Sequence, residues 1–465
     1  MNLLSINPAT EEIIESFSTH SEKEIISIIE KSTIAFHQWR KLKIKNRTEY
    51  IKNIAENLKN NKKFYAEIIT KEMGKPIKES IAEIEKCALL CDYFYEHAEE
   101  FLKSEYRKGS INHAKENIVS FEPLGTVLAI MPWNFPFWQV FRCAIPTILA
   151  GNCVILKHAP NVSKCSLTIE KIFQDSGIIE NVFRSILIEN ERIEEITEIL
   201  LSHPQIVGVS VTGSVNAGKS VAKIAGKYLK KSVMELGGSD PFIVLEDADL
   251  EEAAKVGALA RCQNTGQSCI ASKRFIVLES VYEKFKELFL REMEQFAHSI
   301  GDPLNENIKI GPIARKDLLE KLILQVEDAK QKNAYVLMGG KKANFPKGYF
   351  YEVTVIENIS KEMKAYKEEL FGPVSNLYKV STIKEAIHLA NDTPYGLGVS
   401  LWTKNINLAK EIIPELFFGN VFVNSLVKSD PALPFGGIKE SGYGRELSIE
   451  GMKEFVNIKT IRIYE

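Results

Sequence analysis

Four short stretches of this chain place reactive side chains where strand patterns end. In "CQNTGQSCIASKRF", Cys269 lies in a polar, glycine-containing segment between a helical and a strand pattern, whereas inert cysteines usually sit in apolar runs. Loop exposure and neighbouring backbone N–H groups would favour its thiolate, the form that attacks a carbonyl carbon, and a merely structural thiol is the alternative. In "VMELGGSDP", Glu235 ends a strand beside two glycines that permit close approach of backbone or ligand. Its carboxylate is either a general base or a solvated loop group. In "MPWNFPFW", Asn134 follows a strand and precedes a helix start, so its amide either donates a hydrogen bond into a crevice or caps the helix. In "VILKHAPN", Lys157 ends an apolar strand, where an ammonium reaches a ribose or phosphate unless it snorkels to the surface.

One further stretch suggests different chemistry. "VTGSVNAGKSV" carries Gly213, Gly218, Lys219 and Ser220 at phosphate-loop spacing, between an apolar strand and a helical pattern. In "FIVLEDAD", Asp247 could pass for the magnesium-binding carboxylate of an ATPase.

The elements around these stretches alternate. From "GTVLAIMPW" to "SVMELGG", strand patterns are separated by helical lengths, which predicts right-handed crossovers, a doubly wound parallel sheet and ligands at the carboxyl ends of its strands. After "ELGG" the alternation restarts as a second α/β unit. Residues 22–103 read as three amphipathic helices, the first opening on a capping box of Ser21 and Glu24. Residues 108–125 read as extended strands, and "EFVNIKTIRIYE" alternates like another.

Composition narrows the partners. The 465 residues exceed one ordinary core, and 59 basic against 61 acidic residues leave no charge excess that would select nucleic acid or an anionic membrane. The first residues, "MNLLSINPATEEIIESF", lack the apolar run of a secretory signal, and Pro146, Gly151 and Asn152 interrupt the longest apolar tract. The seven cysteines form no CxxC pair and accompany no histidine cluster. Reduced thiols, a cytoplasmic location and no metal site are therefore expected, with Cys87 and Cys91 as small buried apolar groups on one helical face.

Together the motifs say more than any one alone. Asn134, Lys157, Glu235 and Cys269, in that order, with "ELGGSDP", "EELFGPV", "NDTPYGLG" and "LPFGGIKESGYGRE", resemble the NAD(P)-dependent aldehyde dehydrogenase superfamily over essentially the whole chain. The resemblance implies a Rossmann-type cofactor domain (1–107 and 126–234), an α/β catalytic domain (235–440) and a small β oligomerisation arm (108–125 and 441–465). It also implies that Cys269 attacks the aldehyde to form a thiohemiacetal, Asn134 stabilises the oxyanion, and Glu235 activates water to hydrolyse the thioester left by hydride transfer. Trp133, Lys157, Pro160, Gly213, Ser214, Leu236, Glu369 and Phe371 would contact the cofactor. The "VTGSVNAGKSV" segment would then receive dinucleotide phosphate rather than ATP, and "LEDADL" would be a capped helix start.

Within the superfamily the chain looks most like compact bacterial succinate-semialdehyde dehydrogenases. That likeness makes Trp138, Arg142, Ser268 and Ser429 the substrate-binding set, with Arg142 pairing the distal carboxylate unless it forms a surface or interface ion pair instead. A broader enzyme for other small aldehydes, such as glutarate semialdehyde, is the alternative. Pro160 stands where relatives carry an NAD-selecting glutamate or an NADP-selecting serine, so use of NAD or NADP is expected, with NAD favoured. Ala271 replaces the second cysteine of a redox pair found in some relatives, and the arm implies a homodimer or homotetramer.

Overall fold

A computed structural model describes residues 2–109 and 114–464. Residues 110–113 and 465 of the expected arm lie outside the described residues.

The first sheet has six strands in the spatial order Phe183–Ile186, Cys153–His158, Thr126–Met131, Ile206–Thr212, Lys231–Glu235 and Gly442–Tyr443. All neighbours are parallel except the last pair. Side chains alternate between its two faces, as the pleat requires. Ala129, Met131, Val154 and Leu156 join a core with the helices between residues 44 and 101, while Leu128 and Ile155 pack with Ile25, Ile28 and Ile29 on the other side. Helices on both faces explain why these strands read as continuous apolar runs. The strand order reverses between Thr126–Met131 and Ile206–Thr212, which opens a crevice beyond their carboxyl ends.

The second sheet has seven strands, from Tyr335–Met338 at one edge to Asn420–Val423 at the other, and only the first pair is antiparallel. Asp240–Val244 and Ser272–Leu278 are neighbours near its centre, so the segments leading into them converge. A third sheet pairs Val456–Ile463 with Glu116–Pro123 in eight consecutive register pairs, and Glu105–Tyr106 adds to its other side.

The architecture expected from the sequence is present, with local differences. Four helices, not three, occupy residues 22–103: Glu22–Trp39, Ile44–Asn60, Lys62–Met73 and Ile77–Phe101. The break at Gly74 explains one boundary, because its left-handed backbone (φ 79°) ends a helix. Ser21 and Glu24 form the expected reciprocal capping box. A hairpin of Asn2–Ile6 and Ile13–Ser18 precedes them and was not foreseen. Within 441–465, Gly442–Tyr443 pairs with the first sheet and only Val456–Ile463 joins the arm. Cys87 and Cys91 are fully buried, as expected of small apolar groups. Among the described residues no helix is long and apolar enough to cross a membrane.

Candidate active site

Cys269 follows a strained loop. Asn264 (φ 54°), Thr265 (φ 55°) and Gly266 (φ 72°) are successive left-handed residues between the helix Leu250–Cys262 and Cys269. Two non-glycine residues in that region cost about 1–3 kcal/mol each, so the surroundings must hold them there. Glu79 Oε2 accepts the Asn264 N–H at 2.6 Å, and Asn264 Nδ2 donates to the carbonyls of Asn134 (2.8 Å) and Gln267 (3.0 Å). Thr265 Oγ1 accepts from Gly311 N–H at 2.9 Å, and Gln267 Oε1 from Ala314 N–H at 2.9 Å. Gly266 is obligatory twice over, since a β-carbon there would lie 2.3 Å from the Gly372 carbonyl oxygen.

Glu235 is not the solvated loop glutamate weighed above, being 3% exposed. Its strand is clamped from both sides: Gly213 N–H donates to the Glu235 carbonyl at 3.0 Å, and Gly442 pairs with Glu235 across the antiparallel edge. The following glycines permit the close approach inferred from the sequence, because a β-carbon at Gly238 would stand 2.6 Å from the Cys269 carbonyl oxygen. Burial pushes the Glu235 carboxyl up, to about 8, against the opposing pull of Arg142.

The thiol corrects an expectation. Cys269 is half-buried, and burial pushes it up to about 12, with Lys273 and Arg142 pulling the other way. The loop therefore does not by itself favour a thiolate, and the protein needs a base or added positive charge to make one. Lys273 is buried beneath the loop and donates to the carbonyls of Ser268 (2.9 Å) and Cys269 (2.6 Å). Asn134 does not cap the next helix, which starts after Phe137. Its amide donates to the Gln267 carbonyl at 3.1 Å, which fixes it beside the loop. Among the described residues the Cys269 N–H has no hydrogen-bond partner, so it remains available to an oxyanion.

Two cavities meet at this cysteine. The first, roughly 180 Å³, occupies the crevice of the first sheet and is lined by Trp133, Gly213, Ser214, Leu236, Glu369 and Phe371. Ser214 caps the helix Val215–Lys227, and among the described residues the N–H groups of Val215 and Asn216 have no partner, an arrangement suited to phosphate. Lys157 is buried rather than snorkelling, without a hydrogen-bond partner among the described residues, and burial lowers its ammonium to about 8. Pro160 begins a single turn of 3-10 helix just beyond it. Glu369 accepts the Gly238 N–H at 3.1 Å and lies 3.4 Å from Lys273, and Phe371 meets Trp133 edge-on at 5.6 Å. The phosphate-loop lysine is elsewhere, since Lys219 pairs with Glu440 at 2.7 Å. Asp247 accepts from Thr403 and Asn405, and Asp249 caps the helix Leu250–Cys262.

The second cavity, roughly 500 Å³, is lined by Trp138, Arg142, Ser268, Ser429, Phe435 and Lys86. Trp138 and Arg142 share a face of the helix Trp138–Leu149, whose first N–H groups, from Phe137 and Trp138, both reach Glu83 Oε1 at 2.9 Å. Arg142 does not present an unpaired charge. Its guanidinium pairs with Glu446 and lies 3.9 Å from Glu235, and all three are buried. Burial excludes the surface ion pair, while the pairing with Glu446 engages Nε and leaves both Nη groups without a hydrogen-bond partner among the described residues. Glu79, Glu83, Glu446, Lys273 and Lys86 are not among the residues expected from the sequence. For Glu79, Glu83 and Lys86 a signal existed, because the spacing in "ESIAEIEK" puts them on one helical face. Among the described residues no group of three or more His, Cys, Asp or Glu could hold a metal ion.

Comparison with known proteins matches this geometry to one family. The aldehyde dehydrogenase family model spans residues 2–461. A probable NADP+ succinate-semialdehyde dehydrogenase of Synechocystis is 43% identical over all of both chains, and a succinate semialdehyde dehydrogenase of Escherichia coli named for NAD(P)+ is 42% identical over 98% of this chain and 97% of its own. The crystal structure of succinic semialdehyde dehydrogenase from Streptococcus pyogenes in complex with NADP+ superposes with a TM-score of 0.95 at 35% identity, covering all of both chains. With a cysteine loop set between two α/β sheets and a full-length family match, this chain belongs to the aldehyde dehydrogenase family.

Proposed function

We propose that the protein oxidises succinic semialdehyde to succinate with NAD(P)+. The observation that carries this reading is the position of Cys269, in the walls of both cavities at once. One cavity has a helix N-terminus in its wall, with the buried, unpartnered Lys157 on a strand of the same sheet, which suits a dinucleotide, and the other has Lys86 and Arg142 among its lining residues, which suits a carboxylate-bearing aldehyde.

The proposed roles follow from the geometry. Cys269 releases its thiol proton to solvent and adds to the aldehyde carbon as the thiolate, and the Asn134 amide and Cys269 N–H hold the oxyanion that forms. Loss of hydride from that thiohemiacetal leaves a thioester. The dinucleotide, when bound, accepts the hydride. Lys157 holds its adenosine ribose, Ser214 and the start of the helix Val215–Lys227 receive its phosphates, and Trp133, Leu236, Glu369 and Phe371 orient the remainder. Glu235 then takes a proton from the water that hydrolyses the thioester. Arg142, Ser268 and Ser429 line the substrate cavity and supply N–H and O–H donors to the acid.

Succinic semialdehyde compared with butanal tests the substrate. Steady-state NAD(P)H production should favour the acid by at least roughly tenfold in kcat/KM. Equal rates would reduce the reading to a general aldehyde dehydrogenase, including one for glutarate semialdehyde.

Pro160 neither repels nor binds a ribose phosphate, so we propose use of both dinucleotides, with NAD favoured. The relatives' names point to NADP+, which sharpens the test. kcat/KM for NAD and NADP should agree within roughly tenfold, about 1.4 kcal/mol, and an NADP preference of hundreds would contradict the role given to Pro160.

Homodimer or homotetramer assembly through the arm is part of the proposal. Ile458 (60% exposed) and Ile463 (42%) lie on the edge strand Val456–Ile463, where another chain can pair. A cytoplasmic location is supported by seven free cysteines.

A further inference from the structure

We propose that Lys86, on the helix Ile77–Phe101, is a cation that receives the distal carboxylate of the substrate in the cavity it shares with Arg142, with Ser429 as its partner donor. This rests on the function proposed above and identifies a determinant of its acid specificity.

Among the buried and half-buried cations lining the second cavity, Lys86 is the one with no carboxylate ion-paired to it among the described residues. Glu79, Ala82, Glu83 and Lys86 all face the cavity, as their helical spacing requires. Glu83 is committed to Lys75 and to the first N–H groups of the helix Trp138–Leu149. Glu79 is committed to the Asn264 N–H. Arg142 already has Glu446 against it and Glu235 nearby. Lys428 is exposed at the rim.

Lys86 differs from all of these. Its ammonium donates to Ser429 Oγ at 2.8 Å and lies 4.1 Å from the centre of the Trp138 ring. No carboxylate pairs with it among the described residues, so the charge is held by a neutral hydroxyl and an aromatic face. Burial lowers its ammonium to about 8, Arg142 adds to that, and Glu83, Asp430 and Cys87 oppose it. Lys86 is half-buried with no carboxylate ion-paired to it, and a carboxylate entering the cavity would supply that counter-charge. Ser429 accepts from Lys86, which leaves its own O–H free to donate to the second carboxylate oxygen.

The experiment compares kcat/KM for succinic semialdehyde and butanal in the wild type, Lys86→Met, Lys86→Gln and Lys86→Arg. The acid-over-butanal ratio should fall roughly 10- to 100-fold in Lys86→Met and Lys86→Gln, mainly through KM for the acid, and Lys86→Arg should restore most of it. Lys86→Gln covers the case in which Lys86→Met fails to fold. If the wild type prefers the acid and the ratio stays within twofold in active Lys86→Gln, the role of Lys86 is overturned while the substrate stands. If the wild type shows no preference, the substrate reading falls, and the Lys86 proposal with it.

Discussion

Cys269→Ala should lower kcat by on the order of 10⁴ or more with every aldehyde while the protein still binds the dinucleotide. The asymmetry follows from the two cavities. Substitution at Cys269 leaves Trp133, Ser214 and the helix start intact, so the crevice of the first sheet keeps its shape. Steady-state turnover and dinucleotide titration on the same preparation check it, and a Cys269→Ala enzyme with more than a few per cent of wild-type turnover would remove Cys269 from the chemistry. Cys269→Ser tests the same point with a smaller change, because the hydroxyl retains volume but is a far weaker nucleophile.

Glu235→Gln should separate the two halves of the reaction. The amide keeps the shape of the side chain but cannot take a proton from water, so hydrolysis should slow by about 10²- to 10⁴-fold. Rapid mixing should then show a burst of NAD(P)H close to one equivalent per site, followed by a slow steady state. In the wild-type enzyme the same role sets a pH dependence. Burial raises the Glu235 carboxyl to about 8, so it is mostly protonated at neutral pH and becomes a competent base as pH rises through 8. The hydrolysis rate should climb over that window, and Glu235→Gln should flatten it. A mutant with no burst and unchanged turnover would assign water activation to another group.

The sequence shows some of this architecture and hides the remainder for physical reasons. Strands such as Cys153–His158 are buried on both faces and are bounded by helical patterns, so their apolar runs reveal the doubly wound sheet. Asn134, Glu235 and Cys269 stand out because polar residues at strand ends interrupt those runs. The environment of each is not legible. A pairing such as Arg142 with Glu446 joins residues about 300 positions apart, and nothing local in "LPFGGIKESGYGRE" distinguishes a buried glutamate from a solvated one. Lys273 is hidden in the same way, as an ordinary charge on a regular strand. Burial also set the direction for Cys269. A polar loop suggested an exposed, reactive thiol, whereas tertiary packing closes over it and raises its pKa. Only Asn61 divides the helices Ile44–Asn60 and Lys62–Met73, with no proline or glycine to mark the break, so the pattern of residues 22–103 understates the helix count by one.

The most direct measurement is the intact and peptide mass of Glu235→Gln enzyme quenched after mixing with succinic semialdehyde and dinucleotide. The expected result is one succinyl group per chain, mapped to the peptide containing Cys269 and released by hydroxylamine. NAD(P)H formation at the burst rate with no acyl group on Cys269, or with the group on another residue, would contradict the thioester account.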